Sequence, residues 1–103
     1  MTVAYYAEVP NATREQAEQV GALVSAQLGG PDVAPEGGLF HAEGPTDDGG
    51  WWTFDIWESA EHFDRFNNGI LAPAVAQVGS AVIDHRRLDV AWHSMQVDPT
   101  DVG

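Results

Sequence analysis

The chain has 103 residues, the length of one domain, and its 44% apolar and 19% charged residues are typical of a globular protein. Four arginines stand against sixteen acidic residues, and this net charge of −12 argues against binding to nucleic acid or to an anionic membrane surface. There is no cysteine, which excludes disulfides and thiolate chemistry. No apolar stretch approaches the roughly 20 residues that cross a bilayer. Because the amino terminus has no signal-like core, we expect a cytoplasmic protein.

The first half of the chain predicts a strand, a helix and a second strand. Val3–Val9 is rich in β-branched and aromatic residues and ends at a Pro-Asn pair, which is typical of a strand. Thr13 stands three residues before Gln16 as in a capping box, so a helix is expected from about Arg14 to Leu28. The short segment Leu39–Glu43 is expected to be the second strand.

The second half predicts a hairpin, two successive helices and a last strand. Trp51–Trp57 has the strongest strand pattern, and the Gly- and Asp-rich stretch 44–50 before it predicts a hairpin turn. Ser59 is a good N-cap for a helix from Ala60 onward, and the Asn-Asn-Gly sequence at 67–69 is expected to break or bend that helix. The remaining predicted elements are a short helix over 70–78 and a strand over 87–94.

The order βαββαβ predicts an α+β fold of the ferredoxin-like type, a four-stranded antiparallel sheet with helices on one face. We expect one domain over 1–97 and a flexible tail over 98–103. Alternation divides the third strand into a face with Trp52, Phe54 and Ile56 and a face with Trp51, Thr53, Asp55 and Trp57. Two helices cover only one such face, so the sequence predicts a two-fold homodimer whose sheets pack face to face.

The segment Trp57–Phe66, WESAEHFDRF, follows an alternating aromatic strand within this order of elements. It resembles the W-x-S-x-x-x-F link between the third strand and the second helix of the dimeric α+β-barrel superfamily. More narrowly, it is similar to that of antibiotic-biosynthesis-monooxygenase-type proteins. The resemblance implies a dimeric α+β barrel. It also implies a choice of activities: cofactor-independent oxidation of polyketide quinols or anthrones, haem degradation, cyclisation or isomerisation, or none.

Haem degradation disagrees with the residues present. The haem-degrading relatives use an Asn on the first strand, a Trp on the second helix and a His about one helix further on. Aligned through Trp57, this chain has aromatic residues around Tyr5 and Tyr6, Phe66 at the Trp position and Ala76 at the His position. The resemblance therefore favours a protein without haem.

A cofactor-free monooxygenase requires an aromatic pocket and a group that helps to deprotonate a phenolic substrate, and it requires no flavin or metal. We expect Asp55 and His41 to handle the proton. Asp55 must reach solvent, pair or have a raised pKa, so its alternative role is a structural hydrogen bond. The residues expected to bind the substrate are Tyr6, Trp57, His62, Phe66 and Trp92.

His62 and His93 are further possible bases, although the expected catalytic pair is Asp55 and His41. His85 precedes two arginines and is predicted at the surface, and His93 is predicted on the sheet face opposite the helices. No H-x-H or H-E-x-x-H spacing is present, so no metal or other cofactor is predicted. Two further hypotheses remain: a non-catalytic ligand-binding or stress-response module with the same pocket, and a polyketide cyclase or isomerase.

Overall fold

The computed structural model describes residues 1–92, so His93 and the predicted tail over 98–103 lie outside the described residues. Four strands form one antiparallel sheet in the order β2-β3-β1-β4. The strands are β1 (Val3–Val9), β2 (Gly38–Pro45), β3 (Trp51–Trp57) and β4 (Arg86–Asp89). The helices are α1 (Arg14–Leu28), α2 (Ala60–Phe66) and α3 (Ala72–Val78). This order confirms the predicted ferredoxin-like α+β fold.

Helix α1 begins and ends at the predicted residues because both of its ends are capped. The Thr13 hydroxyl accepts from the Gln16 backbone N–H at 3.1 Å, and the Gln16 side chain accepts from the Thr13 N–H at 3.1 Å. Gly29 takes a left-handed conformation at the other end, with φ at 94°. No residue of α1 is buried, and the helix packs against α3 and the turn before it. It therefore stands away from the sheet and leaves space beneath it.

The second helical region is continuous, where the sequence predicted a break or bend at 67–69. Ser59 caps α2 as predicted, its hydroxyl accepting from the His62 N–H at 3.2 Å. Residues Asn67–Leu71 form a π-helical turn, and the residues flanking it keep right-handed helical angles. The wider turn absorbs the Asn-Asn-Gly sequence without ending the helix. Strand β4 is shorter than predicted, because pairing with β1 ends at Asp89.

The core lies where α2 covers the sheet. Its cluster contains Val3, Tyr5, Trp57 and Phe63, each no more than 5% exposed. The rings of Tyr5 and Phe63 stack with centroids 3.7 Å apart, and Trp57 meets Phe63 edge-on at 5.8 Å. Strand β1 pairs with β3 so that Tyr5 lies opposite Asp55. The helix-facing side of the sheet therefore contains both this core and the Asp55 carboxylate.

The opposite side of the sheet is also apolar, as the alternation predicted. Phe40 is 49% exposed and Leu88 is 42% exposed, and Phe40 packs edge-on against Phe54 with centroids 6.3 Å apart. We call this surface the open face; it contains Tyr6, Phe40, Trp52, Phe54, Ile56 and Leu88. Among residues 1–92, no helix has the length and apolar character needed to cross a membrane.

Candidate functional site

A cavity of about 580 Å³ lies between α1 and the helix-facing side of the sheet. Its floor is formed by alternate β3 residues, Trp51, Thr53, Asp55 and Trp57, and its remaining lining is mostly aliphatic and aromatic. The cavity exists because α1 packs against α3 and not directly on the strands. Its volume is within the range of small-molecule pockets and exceeds the roughly 300 Å³ that a tricyclic ligand requires.

Three charged side chains form what we call the carboxylate–imidazole cluster on this floor. His41 of β2 lies opposite Asp55 of β3, and its Nδ1 forms a hydrogen bond with the Asp55 carboxylate. Its Nε2 lies 2.5 Å from Oε2 of Glu43, whose Oε1 accepts from the Trp51 indole N–H at 3.2 Å. Both imidazole nitrogens thus face carboxylate oxygens. Only the imidazolium form can donate from both.

The cluster changes the protonation of His41 at neutral pH. Hydrogen bonding to Asp55, followed by that to Glu43, raises the pKa of His41 from 6.5 to about 10 against the opposing effect of burial. The imidazolium in turn holds the pKa of Glu43 below its ordinary value. His41 is therefore a charged hydrogen-bond donor and carries no lone pair that could accept a proton.

The cluster predicts a pH dependence of stability. The folded pKa of His41 is raised, so its contribution is complete below pH 6.5 and is lost as the pH rises towards about 10. The pKa of Glu43 is lowered, so its contribution is present above 4.5 and is lost as the pH falls below that value. The His41 side chain is 55% exposed. Solvent screening should therefore limit the loss from pH 6 to 10 to about 1–2 kcal/mol.

Urea denaturation across this pH range measures the effect. His41→Gln should flatten the alkaline decline, whereas Gln77→Glu, on α3 and outside the cluster, should leave it in place. An unchanged decline in His41→Gln would show that the cluster does not couple protonation to folding.

His85 also lines the cavity, and its predicted surface position is wrong. Its half-buried ring lies edge-on to Phe63 with centroids 4.9 Å apart and to Tyr5 at 6.2 Å. Burial lowers the pKa of His85, although the charges of Asp55 and Asp84 and a hydrogen bond with the Ile83 backbone oppose this shift. His85 is therefore neutral at pH 7, unlike His41.

Two polar atoms on the cavity floor have no partner among the described residues. They are the Trp57 indole Nε1 and the Thr53 hydroxyl Oγ1, both buried. Trp57 is only 3% exposed as a whole. A buried donor without an acceptor costs about 1–3 kcal/mol. Both atoms are enclosed by protein, so they weaken the stability of the floor and are not open to a bound molecule.

The structure brings four of the predicted site residues to the cavity: Asp55, His41, Trp57 and Phe66. It places the other three elsewhere. Tyr6 lies on the open face, paired with Phe54. His62 lies at the start of α2 with its Nδ1 2.7 Å from the Ser59 hydroxyl, and Trp92 is 79% exposed beyond β4.

The sequence reasoning missed Glu43 and His85. The sequence could have predicted Glu43, because it lies two positions after His41. Residues two apart on a strand point to the same face of the sheet. His85 lies in an irregular segment with no periodicity from which to predict its direction. Within residues 1–92, no group of three or more His, Asp or Glu side chains is arranged to hold a metal ion.

Comparison with known proteins shows likeness in structure only. No family model and no curated protein matches the sequence. The fold is similar to that of Rv0793 from Mycobacterium tuberculosis, with a TM-score of 0.63, 19% identity and coverage of 92% of this chain and 100% of that one. It is similar to that of a mutant form of SnoaB, a cofactor-independent oxygenase from Streptomyces nogalater, with a TM-score of 0.62, 14% identity and coverage of 89% of this chain and 95% of that one.

A third solved structure, a candidate antibiotic biosynthesis monooxygenase from Chloroflexus aurantiacus, has a TM-score of 0.61 at 17% identity, and the match covers 93% of this chain and 100% of that one. The chain thus has the α+β ferredoxin-like fold that these proteins share. The resemblance to antibiotic-biosynthesis-monooxygenase-type proteins, predicted from the segment Trp57–Phe66, is confirmed at the level of the fold.

Proposed function

We propose that the chain binds a small, flat aromatic molecule of the polyketide kind in the cavity and oxidises it with dioxygen, without a cofactor. The observation that carries the proposal is the cavity itself, about 580 Å³ in volume with an aromatic floor and a charged cluster. The shared fold with SnoaB, named as a cofactor-independent oxygenase, supports the reaction class.

Binding would use the aromatic walls. Trp57 and Phe66 lie with ring centroids 5.1 Å apart and planes tilted by 38°, so they form one corner of the cavity. A flat ring system placed there gains stacking and apolar burial.

The chemistry would be proton removal followed by reaction of the carbanion with dioxygen. For an anthrone-like methylene, one oxygen atom becomes the carbonyl of the product and the other leaves as water, so atoms and electrons balance. His41, held as an imidazolium between Asp55 and Glu43, would fix the shape of the cavity floor beneath the substrate. Asp55 would hold the His41 ring in place through its hydrogen bond with Nδ1.

The protein would act as a homodimer whose protomers cover each other's open face. Six apolar residues on that face, with Phe40 and Leu88 about half exposed, support this arrangement. The cavity floor of Trp51, Thr53, Asp55 and Trp57 lies on the other side of the sheet, and Phe40 at the edge strand borders both surfaces.

A matched set of ligands tests the proposal. Quenching of tryptophan fluorescence should report binding of anthrone and anthracene methanol. Anthracene carboxylate should bind about tenfold more weakly, because carboxylates outnumber positive charges in the cavity lining. Dioxygen consumption with anthrone should fall in Asp55→Asn and His41→Ala and persist in Asp47→Asn, a change in the exposed hairpin turn.

Each other outcome favours a different function. Conversion of a polyketide-like substrate that proceeds unchanged under anaerobic conditions would favour a cyclase or isomerase. Tight binding without turnover of any phenolic compound would favour a non-catalytic binding or stress-response module. Failure of all these ligands to quench the fluorescence would overturn the proposal.

A further inference from the structure

We infer that His85 is the catalytic base of the cavity, the group that takes the proton from the bound substrate. The inference rests on the proposed function and names the proton acceptor that the proposal requires. His85 comes from the irregular segment between α3 and β4 and lines the cavity, and its ring lies edge-on to the core rings of Phe63 and Tyr5.

The two histidines of the cavity differ in what their nitrogens contact. Both nitrogens of His41 face carboxylates, Asp55 on one side and Glu43 on the other. No hydrogen bond among the side chains of residues 1–92 occupies either ring nitrogen of His85, whose ring lies against Phe63 and Tyr5. A neutral imidazole keeps a lone pair on one of its two nitrogens. His85 can therefore accept a proton, whereas His41 cannot.

The surroundings of His85 suit a base that must act repeatedly at neutral pH. The aromatic edges of Phe63 and Tyr5 limit rotation of the ring, and burial among them favours its neutral form. The charges of Asp55 and Asp84 act in the opposite direction and stabilise the imidazolium once the proton has moved. The ring can therefore accept a proton and return it within one cycle.

The proton transfers balance for an activated methylene. His85 removes one proton, which leaves the electron pair on the substrate carbon. The carbanion reduces dioxygen and bonds to it to form a peroxide anion. The His85 imidazolium returns its proton to that anion. The resulting hydroperoxide loses water to form the carbonyl product, and His85 ends neutral as it began.

The test separates proton removal from oxidation. Anthrone bound to the protein in deuterium oxide, without dioxygen, should exchange its methylene hydrogens faster than free anthrone, as measured by NMR. We expect His85→Gln and His85→Phe to lower this acceleration by about a hundredfold while retaining fluorescence quenching by anthrone. His85→Phe keeps an aromatic ring packed against Phe63. It therefore controls for a loss of exchange that is caused by misfolding.

Chemical rescue provides a readout that a structural role would not change. Free imidazole should restore exchange in His85→Ala and have no effect in Asp47→Asn. The wild-type exchange rate should rise with pH up to the lowered pKa of His85 and then level off, and this inflection should be absent from His85→Gln.

The inference is overturned if the His85 variants exchange as fast as the wild type, or if bound anthrone exchanges no faster than free anthrone. Both results leave binding in the cavity intact. If anthrone fails to bind at all, it is the proposed function that fails.

Discussion

Replacing Phe63 by alanine is expected to lower the free energy of unfolding by about 3–5 kcal/mol. Phe63 is 4% exposed, stacks on Tyr5 with centroids 3.7 Å apart and contacts the edges of Trp57 and His85. Truncation removes its buried apolar area and leaves a cavity between α2 and the sheet. A domain of this size has a total stability of about 5–15 kcal/mol, so the loss is a large fraction of it.

Urea denaturation monitored by circular dichroism measures this loss. Phe63→Leu, which keeps most of the buried volume, should cost clearly less than the alanine variant. Val82→Ala is the matched surface control, because Val82 is 90% exposed, and its change should stay within about 0.5 kcal/mol. A loss below about 1 kcal/mol in Phe63→Ala would contradict the central position of this ring in the core.

The order and bounds of most elements were accessible from the sequence because their signals are local. The capping box of Thr13 and Gln16 and the left-handed Gly29 delimit α1 by contacts within a few residues. The strand Trp51–Trp57 was likewise predictable from alternation. The π-helical turn was not, because the Asn-Asn-Gly sequence has the local signals of a helix break and a wider helical turn has no sequence pattern of its own.

The predicted site mixed residues from two faces of the sheet. Asp55 and Trp57 share the cavity floor, whereas Tyr6 lies opposite Phe54 and therefore on the open face. The alternation of side chains along a strand assigns these residues to the two faces of the sheet once β1 is paired with β3. The pairing of His41 with Asp55 was beyond local reasoning, because it depends on the register of β2, which contains an irregularity between Gly38 and Phe40.

The position of His85 illustrates a different limit. The segment between α3 and β4 has no regular structure, so neither helical nor strand periodicity assigns its side chains a direction. Its proximity to two arginines suggested a surface, yet the chain path brings the ring back over Phe63. Only the tertiary arrangement of α2 and the sheet determines that contact.

Replacing Phe54 by glutamate is expected to convert a homodimer into a monomer. Phe54 lies near the centre of the open face, between Tyr6 on β1 and Ala42 on β2, and packs against Phe40. A large aromatic side chain at the middle of an interface contributes about 2–4 kcal/mol, and a carboxylate placed there adds an unpaired buried charge. The dissociation constant should therefore rise at least about a hundredfold.

Sedimentation equilibrium at high micromolar concentration measures the change. Val82→Glu adds the same charge at a position 90% exposed and outside the open face, so it should remain dimeric. Because Phe54 does not line the cavity and the cavity floor lies on the other side of the sheet, the Phe54→Glu monomer should still bind anthrone. A wild-type chain that sediments as a monomer at these concentrations would show that the exposed aromatic rings of the open face are tolerated in water. The proposed dimer would then be wrong, whereas the cavity and the base within it would remain open to their own tests.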